Sequence, residues 1–226
     1  MRSADSTSST GSRLPIVILI SGRGSNMLAI AERASSGELP VDVRAVISDK
    51  ADAAGLARAA ELGIPVAALS PREYASRELY DLALAELTAS YQPQLIVLAG
   101  FMRILTPNFI DAFAGKIINI HPSLLPKYRG LHTHKRAMEA GDVLHGVSVH
   151  YVTQELDGGP VIMQANVPVL PEDTADTLSA RVQRQEHRIY PQVIEWIARR
   201  RIELQPDGVW FDGKRLHAPV VVESGE

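Results

Sequence analysis

Asn119 and His121 stand two residues apart in the run Lys116-Ile117-Ile118-Asn119-Ile120-His121-Pro122-Ser123-Leu124-Leu125-Pro126. Side chains alternate faces along a strand, so residues two apart project on the same side. With Ile120 packed into a core, an amide donor and a titratable imidazole sit together where an apolar strand runs into a proline-stiffened loop. That pairing suits acyl or one-carbon transfer: the amide hydrogen-bonds an oxyanion while the imidazole moves protons. The same residues also fit a plainer reading, in which Asn119 caps a turn and His121 merely precedes a proline.

A second candidate is Ser21-Gly22-Arg23-Gly24-Ser25-Asn26, between the β-branched run Pro15–Ile20 and the helical pattern Met27–Ala34. A strand, a glycine-rich turn and a helix start together make an anion site, because glycines allow close backbone approach and the first free N–H groups point outward. A dinucleotide fingerprint needs a third glycine where this chain has Met27, so a single phosphate is the better expectation. An ordinary strand-to-helix turn is the alternative. Gly100-Phe101-Met102-Arg103-Ile104-Leu105 follows another apolar strand and fits either the lining of a flat aromatic pocket or plain core. Asp157, in the turn Gln154–Gly159, is either a turn-former or a carboxylate held near His121. In the second role it orients the ring and favours its protonated form. His132 and His134 lack a third ligand at a recognisable spacing, so no metal is expected.

These residues need a scaffold, and the chain's patterning supplies one. Strands are expected at Pro15–Ile20, Val41–Ser48, Ile64–Leu69, Gln94–Ala99 and through Lys116–His121. Helices are expected at Met27–Ala34, Ala51–Leu62 and from Pro71 to about Tyr91, the last with Leu79, Leu82, Leu84 and Leu87 on its apolar side. Such alternation implies right-handed parallel crossovers and an α/β, doubly wound, mostly parallel sheet, with ligands outside the carboxyl ends of the strands. Thr106-Pro107 reads as a helix cap and first turn, and Lys127–His134 as a surface loop entering a short helix. His145–Thr153 and Gly159–Val169 read as a hairpin that gives the sheet an antiparallel C-terminal portion. Asp173-Thr174 caps a long amphipathic helix to about Arg200 with Gln183, Gln185, Glu186 and His187 in mid-course, as a site or simply as its wet face. Asp212-Gly213 marks a last hairpin turn.

The 226 residues are 46% hydrophobic, which suffices for one domain with a substantial core. A net charge of −3 offers no nucleic-acid or membrane surface. There is no cysteine, which removes disulfide and thiolate chemistry and fits a reducing, cytoplasmic setting. Residues 1–14 read as a disordered extension without a signal-peptide pattern, 15–217 as a single domain, and 218–226 as an uninformative tail.

The chain resembles the glycinamide ribonucleotide formyltransferases, folate-dependent enzymes of purine synthesis with a Rossmann-like formyltransferase fold. The resemblance runs from about Ile16 to Leu216. It rests on I-S-G-R-G-S-N (20–26), L-A-G-F-M-R-I-L (98–105), I-N-I-H-P-S-L-L-P (118–126), G-L-H-T-H (130–134), V-T-Q-E-L-D-G-G-P-V-I (152–162) and Q-R-Q-E-H (183–187). It implies 10-formyltetrahydrofolate as co-substrate, with no metal required, and glycinamide ribonucleotide as acceptor. His121 is then the proton donor, Asp157 the carboxylate that keeps it charged, and Asn119 the amide on the formyl oxygen. Gly24, Ser25 and Asn26 take the phosphate, and Gln183, Arg184, Gln185 and Glu186 the ribose and glycinamide. Arg77, Met102, Arg103, Ile104, Leu105, Asn119, Thr153, Gln154, Glu155, Leu156 and Asp157 surround the folate. Arg23 departs from the small polar residue common at its position. The expected partners are small molecules only, with no nucleic acid or membrane, and the chain a monomer or weak homodimer. The alternatives are a 10-formyltetrahydrofolate hydrolase, which usually carries an N-terminal domain for which residues 1–14 leave no room, and a non-catalytic nucleotide-binding module.

Overall fold

The computed structural model describes residues 13–223. In chain order the elements are β1 (Leu14–Ile20), α1 (Ser25–Ser36), β2 (Val41–Ser48), α2 (Ala54–Glu61), β3 (Val66–Ala68), a single 3-10 turn at Pro71–Glu73, α3 (Arg77–Ser90), β4 (Leu95–Leu98), α4 (Pro107–Ala112) and β5 (Ile117–His121). There follow α5 (Thr133–Glu139), β6 (Leu144–Tyr151), β7 (Val161–Pro168), α6 (Ala175–Ala198), β8 (Ile202–Gln205), β9 (Gly208–Phe211), β10 (Lys214–Arg215) and β11 (Val220–Glu223). Eight strands form one sheet in the order β11-β7-β6-β5-β4-β1-β2-β3, and β10-β9-β8 form a small antiparallel sheet. Every neighbouring pair in the large sheet is parallel except the two that involve β6. The expected antiparallel portion therefore comes down to one reversed strand, with β7 and β11 again running with the others.

Burial on both faces explains the unbroken apolar run of β1, since a parallel sheet covered by helices leaves neither side wet. Ile16, Ile18 and Ile20 enter one core, with α1 and α6, while Val17 and Leu19 enter the other, with α3 and α4. All five are fully buried, each worth about 1.5–3 kcal/mol of transfer free energy. In β5, Ile118 and Ile120 belong to the first core and Ile117 to the second. Asn119 and His121, in phase with Ile117, thus emerge on the α3–α4 side. From α6 the buried Tyr190 hydroxyl reaches the carbonyls of both Leu98 (2.9 Å) and Ile118 (3.1 Å), bracing β4 against β5 just below the site.

The helix expected from Pro71 to Tyr91 is two pieces. Tyr74 is extended, and a fresh N-cap at Ser76, whose Oγ accepts from the Leu79 amide at 3.2 Å, starts α3. The buried face of α3 carries Tyr80, Asp81, Leu84 and Thr88, whereas Leu79 and Leu82, expected inside, are about half exposed. Val220–Glu223, in the segment read as a tail, pairs parallel with β7 and closes the sheet's edge. The reading of residues 1–14 as disordered lies outside the described residues up to residue 12, and Leu14 already belongs to β1.

Candidate active site

The carboxyl ends of β1, β4 and β5 open onto two adjoining cavities. His121 closes β5, is 6% exposed, and turns its two ring nitrogens toward different acceptors. Nδ1 lies 3.4 Å from Asp157 Oδ2, and Nε2 lies 2.9 Å from the Tyr128 carbonyl oxygen. A carbonyl only accepts, so Nε2 carries a proton in this arrangement. Nδ1 faces a carboxylate.

Asp157 is delivered by the turn between β6 and β7. It occupies the left-handed region at φ 47°, and its Oδ2 also accepts from the Gly130 amide at 2.8 Å. The turn fits tightly under β6, where a Cβ at Gly159 would collide with the Tyr151 carbonyl oxygen. Asparagine and aspartate tolerate positive φ better than most residues, which suits Asp157 to its place as well as to its charge.

Asn119 pairs across the sheet with His150 on β6. Its Nδ2 lies 3.2 Å from His150 Nε2, and His150 Nδ1 lies 2.8 Å from the Tyr151 carbonyl. The two contacts agree on one tautomer, with Nδ1–H donating and Nε2 accepting. Burial pushes the His150 pKa down, which keeps the ring neutral and able to accept. Asn119 Nδ2 therefore gives one hydrogen to His150, and among the described residues the other has no partner.

The first cavity, of about 420 Å³, lies within the size range of sites for drug-sized ligands. Met102, Arg103, Ile104 and Leu105 form one stretch of its wall, Thr153 to Asp157 another, and Asn119 and His121 line it as well. Of the residues assigned to the folate by resemblance, Arg77 alone does not line it. Its guanidinium instead donates to the Ile104 carbonyl from behind the wall.

The second cavity, of about 270 Å³, is lined by Ser21 through Asn26 together with Gln183 and Glu186 of α6. Gly24 precedes α1 in the left-handed conformation, φ 72° and ψ 31°, and this turns the first amides of the helix toward the space. Gln183 Nε2 donates to Ser25 Oγ at 3.1 Å, and Asn26 Nδ2 to Glu186 Oε2 at 2.7 Å. Burial pushes the Glu186 carboxyl pKa up, against the opposing effect of that hydrogen bond. Arg184 and Gln185, assigned here by resemblance, do not line the cavity. Helical spacing puts Gln183 and Glu186 on one face and turns the two residues between them away. The two cavities share Gly100, Met102, Ile120 and Pro122 as a common rim flanking His121.

His134 and His145 pair with each other, Nδ1 to Nε2 at 3.1 Å, and burial lowers the His145 pKa to about 4. Among the described residues no group of three or more histidine, cysteine, aspartate or glutamate side chains is placed to hold a metal ion. No helix among them is long and apolar enough to cross a membrane. The sequence reading passed over His150. The alternation of His145-Gly146-Val147-Ser148-Val149-His150 shows it on the same face as Ser148, but only the β5–β6 register places it against Asn119.

An amide, an imidazole and a carboxylate converge at the strand ends of a mostly parallel sheet, a set of groups that suits the transfer of a carbonyl-level group. The chain belongs to the formyl transferase family, whose sequence model matches residues 14–194, and it is a transferase. Within that family its relatives include phosphoribosylglycinamide formyltransferases. That of Escherichia coli (strain K12) is 54% identical over 201 residues, spanning 89% of this chain and 95% of the relative. The solved structure of the Coxiella burnetii phosphoribosylglycinamide formyltransferase superposes with a TM-score of 0.89 at 48% identity, covering 92% of this chain and 99% of that one. Glycinamide ribonucleotide transformylase 1 from Symbiobacterium toebii gives a TM-score of 0.86 at 43% identity, with coverage of 89% and 95%. The hydrolase alternative gains no support from these relatives.

Proposed function

We propose that this chain transfers the formyl group of 10-formyltetrahydrofolate to the amine of glycinamide ribonucleotide in purine biosynthesis. The observation that carries the reading is that the two cavities share the residues on either side of His121, Ile120 and Pro122: one cavity is apolar and of a size for a folate, the other built on a glycine-turn helix start that suits a phosphate. The relatives' names give the acceptor and the formyl group, and the family resemblance gives the folate donor.

The neutral amine attacks the formyl carbon, a nitrogen–carbon bond forms, and the carbonyl oxygen takes up negative charge. The free hydrogen on Asn119 Nδ2 meets that oxygen, a kind of contact typically worth about 10²–10³ in rate. Protonated His121, oriented by Asp157, stabilises the same charge. As the adduct collapses, the bond from carbon to the folate nitrogen breaks, His121 gives that nitrogen a proton, and the proton lost by the amine restores the ring. Acid–base help of this kind contributes about 10²–10⁴. Because the Tyr128 carbonyl holds Nε2, the bound substrates must take over that hydrogen bond. Chemistry needs neither a covalent enzyme intermediate nor a hydroxyl nucleophile.

An absorbance assay of tetrahydrofolate formation tests the reading. Product should appear only when glycinamide ribonucleotide is present. Formate release without the ribonucleotide would make the chain a hydrolase, and ligand binding without turnover would make it a binding module.

A further inference from the structure

Behind the Met102–Leu105 wall, α3 turns three residues toward one segment of backbone. Arg77, Tyr80 and Asp81 are spaced i, i+3 and i+4 and so share a face of the helix. The Arg77 guanidinium donates to the Ile104 carbonyl. The Arg103 guanidinium lies 4.9 Å from the centre of the Tyr80 ring, within cation–π range. Asp81 Oδ2 accepts the Thr106 amide at 2.5 Å.

We propose that Asp81 is a positioning residue for the folate side of the site, its buried carboxylate anchoring the far end of the wall so that Arg103, Ile104 and Leu105 keep the shape of the cavity. This rests on the functional reading above and deepens it. Two features separate such an anchor from an ordinary core residue.

The first is chemical. Asp81 is 1% exposed, and among the described residues neither its Oδ1 nor the adjacent Tyr80 hydroxyl has a hydrogen-bond partner. Burying a half-partnered carboxylate is unfavourable, and an apolar side chain of similar volume is often neutral or better for stability. What a carboxylate does better is hold a backbone N–H strongly and in one direction. The amide it holds belongs to the N-cap of α4, where the Thr106 side chain makes no capping bond of its own.

The second is the wall itself. Met102 is 70% and Ile104 57% exposed, so between the buried Phe101 and Leu105 these side chains give the segment little packing to fix its course. Its near end is tied separately, by the Met102 amide donating to Ser21 Oγ at 2.9 Å. Only Gly100 and Met102 of this segment also line the phosphate-side cavity, whereas Arg103, Ile104 and Leu105 line the apolar one alone. Loosening the far end should therefore disturb one ligand and spare the other.

The test compares Asp81→Ala and Asp81→Asn with the wild-type enzyme, by steady-state kinetics in both substrates and by calorimetric titration with tetrahydrofolate. Loss of one charge-assisted hydrogen bond should raise the KM for 10-formyltetrahydrofolate and the Kd for tetrahydrofolate about tenfold in the alanine variant. The KM for glycinamide ribonucleotide should stay within about twofold of wild type, since no contact of that cavity is removed. The asparagine variant keeps an amide oxygen for Thr106 and should recover to within about threefold of wild type. Equal rises in both KM values would mean a merely structural role, and an unchanged folate KM would mean none. Either result overturns the proposal. If the alanine variant does not fold, the asparagine variant decides: its folate KM should rise about two- to threefold, with faster hydrogen exchange at the Thr106 amide. An unmoved KM there overturns the anchor. A wild-type enzyme that binds tetrahydrofolate but transfers nothing would overturn the functional reading, and the titration would still decide the role of Asp81.

Discussion

Gly24→Ala should damage both the fold and the ribonucleotide site, and Gly22→Ala, two residues earlier, should leave the fold untouched. Gly24 has φ +72°, and a Cβ there would sit 3.1 Å from Gly55 Cα and 3.1 Å from Met27 Cε. The methionine end can swing aside, but the Gly55 backbone is held by its amide, which donates to the Gly22 carbonyl at 3.0 Å. Forcing alanine into the left-handed region costs about 1–2 kcal/mol, and crowding a packed contact typically adds about 1–3 kcal/mol. The sum is roughly 2–5 kcal/mol. For a chain of this size a Tm shift of about 2–4 °C per kcal/mol gives a loss of about 4–20 °C. At Gly22 an added Cβ meets nothing within 4 Å, and the residue is not among those with positive φ, so its alanine variant should melt within about 1 °C of wild type. Because Gly24 sets the direction of the amides at Ser25 and Asn26, its variant should also raise the KM for the ribonucleotide about tenfold or more, with a smaller effect on the folate KM. Differential scanning fluorimetry and steady-state kinetics on the two purified variants read both quantities. Equal melting temperatures for the two variants would refute the claim that this turn is held by a left-handed residue packed against Gly55.

Asn119→Ala should lower kcat about 10²–10³-fold and His121→Ala about 10²–10⁴-fold, with circular dichroism unchanged; a variant with near wild-type turnover would remove that residue from the proposed chemistry. For Asp157→Asn, turnover should fall and the pH–rate profile should move, because the carboxylate that faces His121 Nδ1 is gone; an unmoved profile would leave Asp157 only its bond to the Gly130 amide. Burial raises the folded-state pKa of Glu186, so its contribution to stability is complete below the unfolded value of about 4.3 and is lost as pH rises through the raised folded value. Glu186→Gln should accordingly melt higher than wild type at pH 7–8, by a margin that closes toward about pH 4, while its ribonucleotide KM rises. A constant margin across that range would show that ionisation of Glu186 is not what costs the stability.

Local sequence showed what depends on short-range periodicity. Asn119 and His121 are read onto one face from their spacing, and the turn at Gly22–Asn26 from its glycines and the strand before it. Long-range geometry was legible only through resemblance or not at all. Asp157 comes within reach of His121 because β6 runs antiparallel to β5, and that same register brings His150 to Asn119. The run Gln183–Glu186 reads as four equal candidates, but a helix presents only the first and last to a cavity on one side. Leu79 and Leu82 look like core by composition. The fresh cap at Ser76 sets a phase for α3 that buries Tyr80 and Asp81 in their stead. The edge strand Val220–Glu223 carries three β-branched valines that favour a strand, but where it pairs is set by the open edge of β7 and not by its own residues.

In the proposed reaction a formyl group passes directly between two ligands bound side by side next to His121. Isotope tracing reaches it most directly: the enzyme is run with 10-[¹³C]formyltetrahydrofolate and glycinamide ribonucleotide in a large excess of unlabelled formate. The account requires the label to arrive undiluted in the formylated ribonucleotide, mole for mole with tetrahydrofolate. Label escaping into formate, or unlabelled formyl entering the product, would contradict it.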